Sequence, residues 1–273
     1  MISKVKITSL ENQSLEPYKT LRRPVEHNDA SIFVAESKKL VERLLESKLT
    51  IRSLLLTEEW FEFLKFKIEN RTDNIEVFIN LKSLLSEIVG FDLHQGIMAV
   101  ANIPEKIELR NFVETKNPTL LVAIDGIVNS ENIGIIVRNC AAFNVDGIIV
   151  GETSADPYLR RAVRNSMGTI FKLPIIYSNS LLKDISFLNE EFKIKSYAAH
   201  ISVESETILN KNFQNPACLL FGNEESGPRV ELLNLCEWFM IPMKDGIDSL
   251  NVANASAVAL YDINRQRSTL NFK

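Results

Sequence analysis

The sequence predicts an α/β protein of two domains, with a parallel β-sheet in the core of the C-terminal half. Thr119–Ile124 and Gly147–Val150 are continuous apolar runs rich in Val, Ile and Leu, as in strands buried on both faces of a parallel sheet. Ile133–Phe143, which lies between them, has the apolar spacing of a helix. A strand, a helix and a second strand in this order form a βαβ unit, in which the helix connects two parallel strands of one sheet.

Residues 1–104 make up the first predicted domain, a small α/β unit in which short β-rich runs alternate with amphipathic helices. The helix predicted at Ser37–Ser47 places Leu40 and Leu44 on one face. The other predicted elements are, in chain order, a strand ending at Ile32–Val34, strand Ile51–Leu56, helix Glu58–Lys67, strand Ile75–Ile79, helix Leu81–Ile88 and strand Gly96–Ala101.

The second predicted domain covers residues 119–273 and contains the parallel sheet. Residues 105–118 belong to a polar stretch that ends in Pro118, and they are predicted to be a linker. Further elements of the second domain are predicted as strands Lys195–Ala199, Ala217–Phe221 and Phe239–Ile241, and a last helix Leu250–Gln266.

Composition excludes membrane and secretory classes. Hydrophobic residues make up 45% of the chain, but no apolar run approaches the roughly 18 residues that span a bilayer. The N-terminus lacks the apolar core of a signal peptide. Cys140, Cys218 and Cys236 lie in or beside apolar runs without zinc-ligand spacing, which favours buried free thiols in a reducing cytoplasm. The net charge of −4 means that a nucleic acid would need a local basic patch.

Three polar segments follow predicted strands, and ligands of open parallel sheets bind beyond the carboxyl ends of the strands. In Ile124–Arg138, Asn132 is a candidate helix cap, Gly134 allows close backbone approach and Arg138 follows. Leu219–Pro228 contains two glycines and adjacent carboxylates. In Ile241–Ala255, Asp248 or Ser249 is expected to cap the final helix, with Asn251 near its start. Taken singly, ordinary capping and turn formation also account for these residues.

Their order and spacing resemble the three motifs of the SpoU (TrmH-like) family of RNA 2′-O-ribose methyltransferases, in the SPOUT superfamily. The matching residues are Asn132-Ile-Gly134 with Arg138, Gly222-Asn-Glu224 with Gly227, and Ile241-Pro-Met243 with Ser249-Leu-Asn251. The resemblance covers residues 119–267. A weaker one, in Phe33-Val-Ala-Glu36 and His94-Gln-Gly96, links the first domain to the substrate-binding domain that many members carry.

The resemblance implies a trefoil-knotted domain, S-adenosylmethionine as cofactor, a homodimer, and an RNA substrate for which rRNA is favoured over tRNA. It assigns the cofactor to the backbone at Gly222, Ile241 and Leu250. It places five side chains at the catalytic site: Asn132, Arg138, Glu224, Ser249 and Asn251. Methyl transfer from a sulfonium centre needs no metal, so none is expected. Arg138 either accepts the proton of the ribose hydroxyl or clamps the adjacent phosphate and stabilises the developing alkoxide.

One cluster of basic residues stands out in the second predicted domain. Arg160, Arg161, Arg164 and Lys172 are the candidates for RNA contact, and the alternative is a solvated helix face. The chain departs from the family pattern in three places. It has Asn129-Ser130 where members usually have Asp-Pro or Asn-Pro, Asn144 for a usual glycine, and Glu36-Ser37 for a usual Glu-Gly.

Other classes of nucleotide-binding protein fit less well. The ten glycines include no G-x-G-x-x-G for a dinucleotide and no P-loop for a triphosphate. The remaining alternative is a non-catalytic RNA-binding or ribosome-assembly protein that retains the fold. Arg138, Glu224 and Asn251 argue against it, because a lapsed active site need not keep all three.

Overall fold

The computed structural model describes residues 2–7 and 11–267. The chain forms two compact units. Unit 1 comprises Met1–Glu105 with Tyr158–Phe171, and unit 2 comprises Lys106–Pro157 with Lys172–Lys273. In chain order the elements are β1 (Ile2–Lys6), α1 (Glu16–Lys19), α2 (Pro24–Asp29), β2 (Ile32–Glu36), α3 (Lys38–Leu45), β3 (Ile51–Leu56), α4 (Glu58–Glu69), β4 (Ile75–Ile79), α5 (Lys82–Val89), β5 (Ile97–Asn102), α6 (Leu109–Lys116), β6 (Leu120–Ile124), α7 (Ser130–Ala142), β7 (Gly147–Val150), α8 (Arg160–Asn165), β8 (Ile175–Tyr177), α9 (Leu181–Glu191), β9 (Lys195–Ala199), β10 (Glu206–Thr207), β11 (Ala217–Phe221), α10 (Val230–Leu233), β12 (Glu237–Met240) and α11 (Val252–Gln266).

Unit 1 is built on a five-stranded mixed sheet with strand order β1-β4-β3-β5-β2. Strands β1, β4 and β3 are parallel, whereas β5 runs antiparallel to both β3 and β2. Its core includes Leu15, Tyr18, Phe78 and Val100. The alternation of strands and helices predicted for this region is therefore confirmed.

Unit 2 contains a seven-stranded sheet in the order β10-β12-β9-β11-β6-β7-β8. All of its neighbouring strands are parallel. Every residue of β6, β7 and β11 is buried, as the continuous apolar runs predict for strands covered on both faces. The predicted parallel sheet is confirmed.

The prediction of a linker at residues 105–118 is wrong. The segment contains α6, in which Leu109, Phe112 and Val113 are buried at helical spacing. The Phe112 ring closes on Gly147, where an added Cβ would lie 3.1 Å from Cζ of that ring. Polar residues on the outer face of α6 therefore concealed a helix that packs against the sheet.

The prediction that residues 158–171 belong to the second domain is also corrected, because Tyr158–Phe171 lies in unit 1. Two aromatic contacts hold the segment there. The ring centroids of Tyr158 and Phe171 lie 5.2 Å and 5.5 Å from that of Phe33 in β2. Burial of these rings outweighs proximity along the chain.

The three cysteines are free thiols in the structure. Cys140 and Cys218 are buried and Cys236 is half-buried. Burial raises the pKa of all three thiols, that of Cys236 to about 12, so each stays protonated near neutral pH. Within residues 2–7 and 11–267, none of the helices combines the length and the apolar character needed to cross a bilayer.

Candidate active site

Helix α7, in the first of the three polar segments, begins at Ser130, three residues earlier than the sequence predicts. The helix is capped by Asn129, whose side chain accepts a hydrogen bond from Glu131 N at 2.9 Å. The expectation that Asn132 caps the helix is therefore wrong, because Asn132 lies within the first turn and is 7% exposed. Its side-chain amide is left to bond with other parts of the chain.

A chain of hydrogen bonds joins the three predicted motifs. Asn132 Nδ2 donates to Glu224 Oε1 at 2.5 Å, and Asn251 Nδ2 donates to Asn132 Oδ1 at 3.1 Å. Asn251 is also the cap of α11, since its Oδ1 accepts from Ala253 N at 2.9 Å. Both ends of each amide are therefore occupied, and together they hold one carboxylate oxygen of Glu224 in place.

The cap of α11 corrects a further expectation. Neither Asp248 nor Ser249 caps the helix, which begins at Val252. Residues 248–250 instead belong to an exposed segment that follows β12. This leaves the side chain of Ser249 available to face a ligand.

A cavity of about 430 Å³ lies at the carboxyl ends of β9, β11 and β12, where ligands of parallel sheets bind. Its wall includes the three predicted cofactor positions, Gly222, Ile241 and Leu250. Glu224 and Ser249, two of the predicted catalytic residues, also line it. The volume falls in the range of small-molecule and cofactor sites.

Gly222 lies where the chain turns back on itself. A Cβ on this residue would lie 2.1 Å from Pro228 N and 2.3 Å from the carbonyl carbon of Gly227, so only glycine fits. Gly227 completes the turn with a φ of 71° and donates from N to Asn223 O at 2.9 Å. The loop 222–228 thus presents its backbone to the cavity.

An arginine anchors this loop to the ends of β6 and β7. Asp125, 2% exposed, accepts from Arg229 N and Nε, both at 2.9 Å. Arg229 Nη1 also donates to Glu152 Oε1 at 2.8 Å. Burial alone would raise the pKa of Glu152, but its bonds, chiefly that from Arg229, hold the pKa below the usual range.

Sequence reasoning missed three features of this region. Asp125 and Arg229 anchor the loop, and His200 lines the cavity with its ring centroid 5.2 Å from that of Trp238. Two of these residues follow strands directly, Asp125 after β6 and His200 after β9. Because ligands of parallel sheets bind beyond the strand ends, the positions of Asp125 and His200 in the sequence could have indicated both as site residues.

Arg138 stands apart from the cavity. It is exposed on α7, is not among the lining residues, and forms no hydrogen bond or ion pair with any residue in the described ranges. The neighbouring Asn139 turns inward, donating from Nδ2 to Ala253 O at 2.8 Å and to Ser256 Oγ at 3.0 Å. The hydrogen-bond chain therefore joins three of the five predicted catalytic residues, Asn132, Glu224 and Asn251. Ser249 lies on the cavity wall with Glu224, and Arg138 lies outside both the chain and the cavity.

The candidate RNA contacts are divided between the units. Arg160, Arg161 and Arg164 lie on α8 in unit 1, whereas Lys172 lies in unit 2, so they do not form one cluster of the catalytic half. Arg160 forms an ion pair with Glu36 at 3.3 Å. Burial lowers the pKa of Arg160, and the neighbouring charges of Arg164, Arg161 and Arg22 lower it further. The carboxylate of Glu36 acts in the opposite direction but does not outweigh them. These arginines form a local positive surface on unit 1.

The part of the chain that the structure describes has no group of three or more His, Cys, Asp or Glu side chains arranged to hold a metal ion. The polar groups of the site include the amides of Asn132 and Asn251, the carboxylate of Glu224, the hydroxyl of Ser249 and the imidazole of His200. Together with the cavity, they define an α/β protein that binds a small-molecule ligand beyond the strand ends of a parallel sheet.

Comparison with known proteins places this protein in a family. Residues 119–261 match the SpoU rRNA Methylase family, and the chain belongs to it. An uncharacterized tRNA/rRNA methyltransferase from Mycobacterium tuberculosis is 30% identical over 89% of this chain and 84% of its own. The 23S rRNA (guanosine(2553)-2′-O)-methyltransferase RlmP of Bacillus subtilis is 24% identical over 94% of this chain and 98% of its own.

Two solved structures are similar in fold to this protein over nearly its whole length. The AdoMet-bound rRNA methyltransferase from Sinorhizobium meliloti has a TM-score of 0.81 at 26% identity, covering 96% of this chain and 98% of that one. The SpoU methyltransferase AviRb from Streptomyces viridochromogenes has the same fold, with a TM-score of 0.80 at 23% identity over 94% and 98% of the two chains.

Proposed function

We infer that this protein transfers a methyl group from S-adenosylmethionine to the 2′-hydroxyl of a ribose in RNA. The observation that carries the inference is the Asn251–Asn132–Glu224 hydrogen-bond chain, which brings Glu224 to a cofactor-sized cavity in a member of this family. The relatives named above include an rRNA 2′-O-methyltransferase, so rRNA is favoured over tRNA, and with it a cytoplasmic location. Their names disfavour the alternative of a non-catalytic RNA-binding protein.

The residues that line the cavity fit S-adenosylmethionine. The backbone at Gly222, Ile241 and Leu250 would hold it, and the absence of a side chain at Gly222 permits the tight turn that brings this backbone to the cavity. When bound, this cofactor supplies a methyl group already activated on a sulfonium centre. The protein then has two tasks, which are to place the ribose hydroxyl and to manage its proton.

Glu224 is suited to orient the hydroxyl. One of its carboxylate oxygens is fixed by Asn132, and Asn132 is itself fixed by Asn251. A carboxylate held in this way can accept the hydrogen bond of a ribose hydroxyl and fix its direction. Ser249 adds a hydroxyl on the same cavity wall. Arg138 remains the candidate for proton acceptor or phosphate clamp.

A homodimer would bring Arg138 into a protein interface. On the outer face of α7, Arg138 lies between Ile135 and Ala142 at helical spacing. The adjoining helix α11 exposes 41% of Val258 and 49% of Tyr261. The two helices therefore share an exposed surface on which apolar side chains adjoin the cation of Arg138, a composition typical of interfaces. A second copy on this surface would place Arg138 at the boundary between the two chains.

This interface predicts a stable dimer at micromolar concentration. Light scattering is expected to give twice the mass of one 30.9 kDa chain. Tyr261→Glu should shift the protein toward the monomer, because it buries a charge in the apolar surface. As a control, Tyr197→Phe, a change inside unit 2, should leave the dimer intact. A wild-type mass of one chain would contradict the dimer.

The cofactor assignment predicts a thermal shift. At about 100 times its Kd, S-adenosylmethionine or S-adenosylhomocysteine should stabilise the protein by about 2.7 kcal/mol. For a chain of this size, that corresponds to roughly 5–10 °C in Tm. Calorimetric titration should show one site per chain. A folded protein with no shift at saturating ligand would count against the proposal.

Two further parts of the account stay proposals. We assign the unit 1 arginines on α8, with Lys172 in unit 2, to the path of the RNA, and unit 1 to substrate selection. The family resemblance supports a trefoil knot in unit 2. The seven-stranded parallel sheet is compatible with it.

A further inference from the structure

Helix α4 carries two aromatic side chains on the surface of unit 1. Phe63 is 58% exposed and Trp60 is half-buried, and their rings meet edge to face with centroids 5.8 Å apart. The helix is attached to the unit by its other face, where Phe61, Leu64 and Ile68 are buried. The packing of α4 therefore does not account for the exposed pair.

A lysine from another helix lies against both rings. Lys38 Nζ, in the first turn of α3, is 4.2 Å from the centroid of Phe63 and 5.2 Å from that of Trp60. A cation at these distances is attracted to the faces of the rings. The three side chains, here called the Lys38–Trp60–Phe63 patch, combine flat apolar surface with one positive charge.

Hydrogen bonds from a third segment hold the patch in place. Trp60 Nε1 donates to the backbone oxygen of Gln95. The side chain of Gln95 accepts a second hydrogen bond, from Lys38 N to Oε1 at 2.7 Å. The start of α3, the helix α4 and the loop before β5 are thereby tied together. The indole polar group is already satisfied, so its ring is available for stacking without further reorganisation.

The backbone before Lys38 is strained. Ser37 has φ 101° and ψ 151°, a region that glycine occupies readily and other residues rarely do. Such strain is of the order of 1–3 kcal/mol and persists where the surrounding structure fixes it, which is common at functional sites. Here the strained residue is the N-cap of α3 and directly precedes Lys38.

We propose that the Lys38–Trp60–Phe63 patch is a stacking site for an unpaired base of the RNA substrate, a proposal that rests on RNA being the substrate. Aromatic rings bind unpaired bases through their faces with little sequence preference. The acidic residues of α4 favour a base over a phosphate. Glu62 is paired with Lys65 at 3.8 Å, whereas Glu59, which has no such ion pair in the described chain, could accept from the amino group of a base.

Trp60 provides a direct readout, because the chain has two tryptophans. In the variant Trp238→Phe, the remaining fluorescence comes from Trp60. Titration with 23S rRNA transcribed in vitro, or with its single-stranded fragments, should quench that fluorescence, whereas S-adenosylhomocysteine alone should not. Binding of RNA, measured separately by filter retention, without any quenching would overturn the proposal.

The matched variants are Phe63→Leu and Phe66→Leu. Both replace an exposed phenylalanine on α4, since Phe66 is 77% exposed, but only Phe63 belongs to the patch. Phe63→Leu should weaken RNA binding about tenfold. Phe66→Leu should bind RNA as the wild type does, and neither change should alter Tm or the affinity for S-adenosylhomocysteine.

The outcomes separate this proposal from the proposed function. Equal RNA affinity of the two variants would overturn the stacking site while leaving methyl transfer by the wild type intact. A change in oligomeric mass for Phe63→Leu, with RNA affinity unchanged, would assign the patch to a protein partner and also overturn it. A wild-type protein that neither binds nor methylates RNA would instead refute the proposed function.

Discussion

Arg138→Ala is expected to lower the rate of methyl transfer by roughly two to three orders of magnitude, the usual effect of removing a group that stabilises charge in the transition state. Arg138→Lys should lose nearly as much, because lysine keeps the charge but not the planar fork that grips a phosphate. The affinity for S-adenosylmethionine should not change, since Arg138 is not among the residues that line the cavity.

The measurement is transfer of a radiolabelled methyl group to RNA, run beside a calorimetric titration of the cofactor. Arg110→Ala serves as the control, because Arg110 is an exposed arginine of unit 2 that pairs with Glu114 and Glu191 on the surface. Its turnover should equal that of the wild type. Near wild-type turnover by Arg138→Ala would refute the catalytic assignment of this residue.

Arg229→Leu is expected to lower the free energy of unfolding by about 3 kcal/mol, because it leaves the carboxylate of Asp125 buried without its cation. Asp125 is 2% exposed, and its bonds to the Arg229 side chain are the ones lost. The loop 222–228 precedes this anchor, so cofactor affinity should fall as well.

Urea unfolding measures the first effect and calorimetry the second. The double variant Asp125→Asn/Arg229→Leu should recover part of the lost stability, since it removes the unpaired charge together with its partner. Arg110→Leu, on the surface, should leave the unfolding midpoint unchanged. If Arg229→Leu behaves like that control, Arg229 does not anchor the loop.

Hydrophobic patterning predicted most of the sheets, because buried strands carry their signal in consecutive residues. β3, β4, β7, β9 and β11 begin and end where the sequence predicts. Shorter or more polar elements were missed. β8 has three residues, too few to show a pattern, and α6 exposes charged residues on the face away from the sheet.

Helix starts were harder to predict than the helices themselves. Several residues near each start can serve as a cap, and the backbone selects one of them. Asn129 and Asn251 cap α7 and α11, whereas sequence reasoning named Asn132 and Asp248 or Ser249. Asn144, by contrast, adopts the left-handed conformation that asparagine tolerates, with a φ of 54°.

Motif resemblance could name the three residues of the hydrogen-bond chain, but it could not predict how they bond to one another. Asn132 and Glu224 are 92 residues apart in the chain, and Asn132 and Asn251 are 119 apart. Local spacing carries no information on such contacts, which depend on the order of strands in the sheet. The same holds for Tyr158–Phe171, which joins unit 1 through aromatic contacts with Phe33.

The position of the methyl group in the product tests the central claim most directly. The purified protein is incubated with unmodified 23S rRNA and methyl-labelled S-adenosylmethionine, and the RNA is then digested to nucleosides for mass spectrometry. The account predicts a single labelled nucleoside with the methyl group on the 2′-oxygen of its ribose. Label on a base, or RNA that stays unlabelled while the cofactor binds, would contradict it.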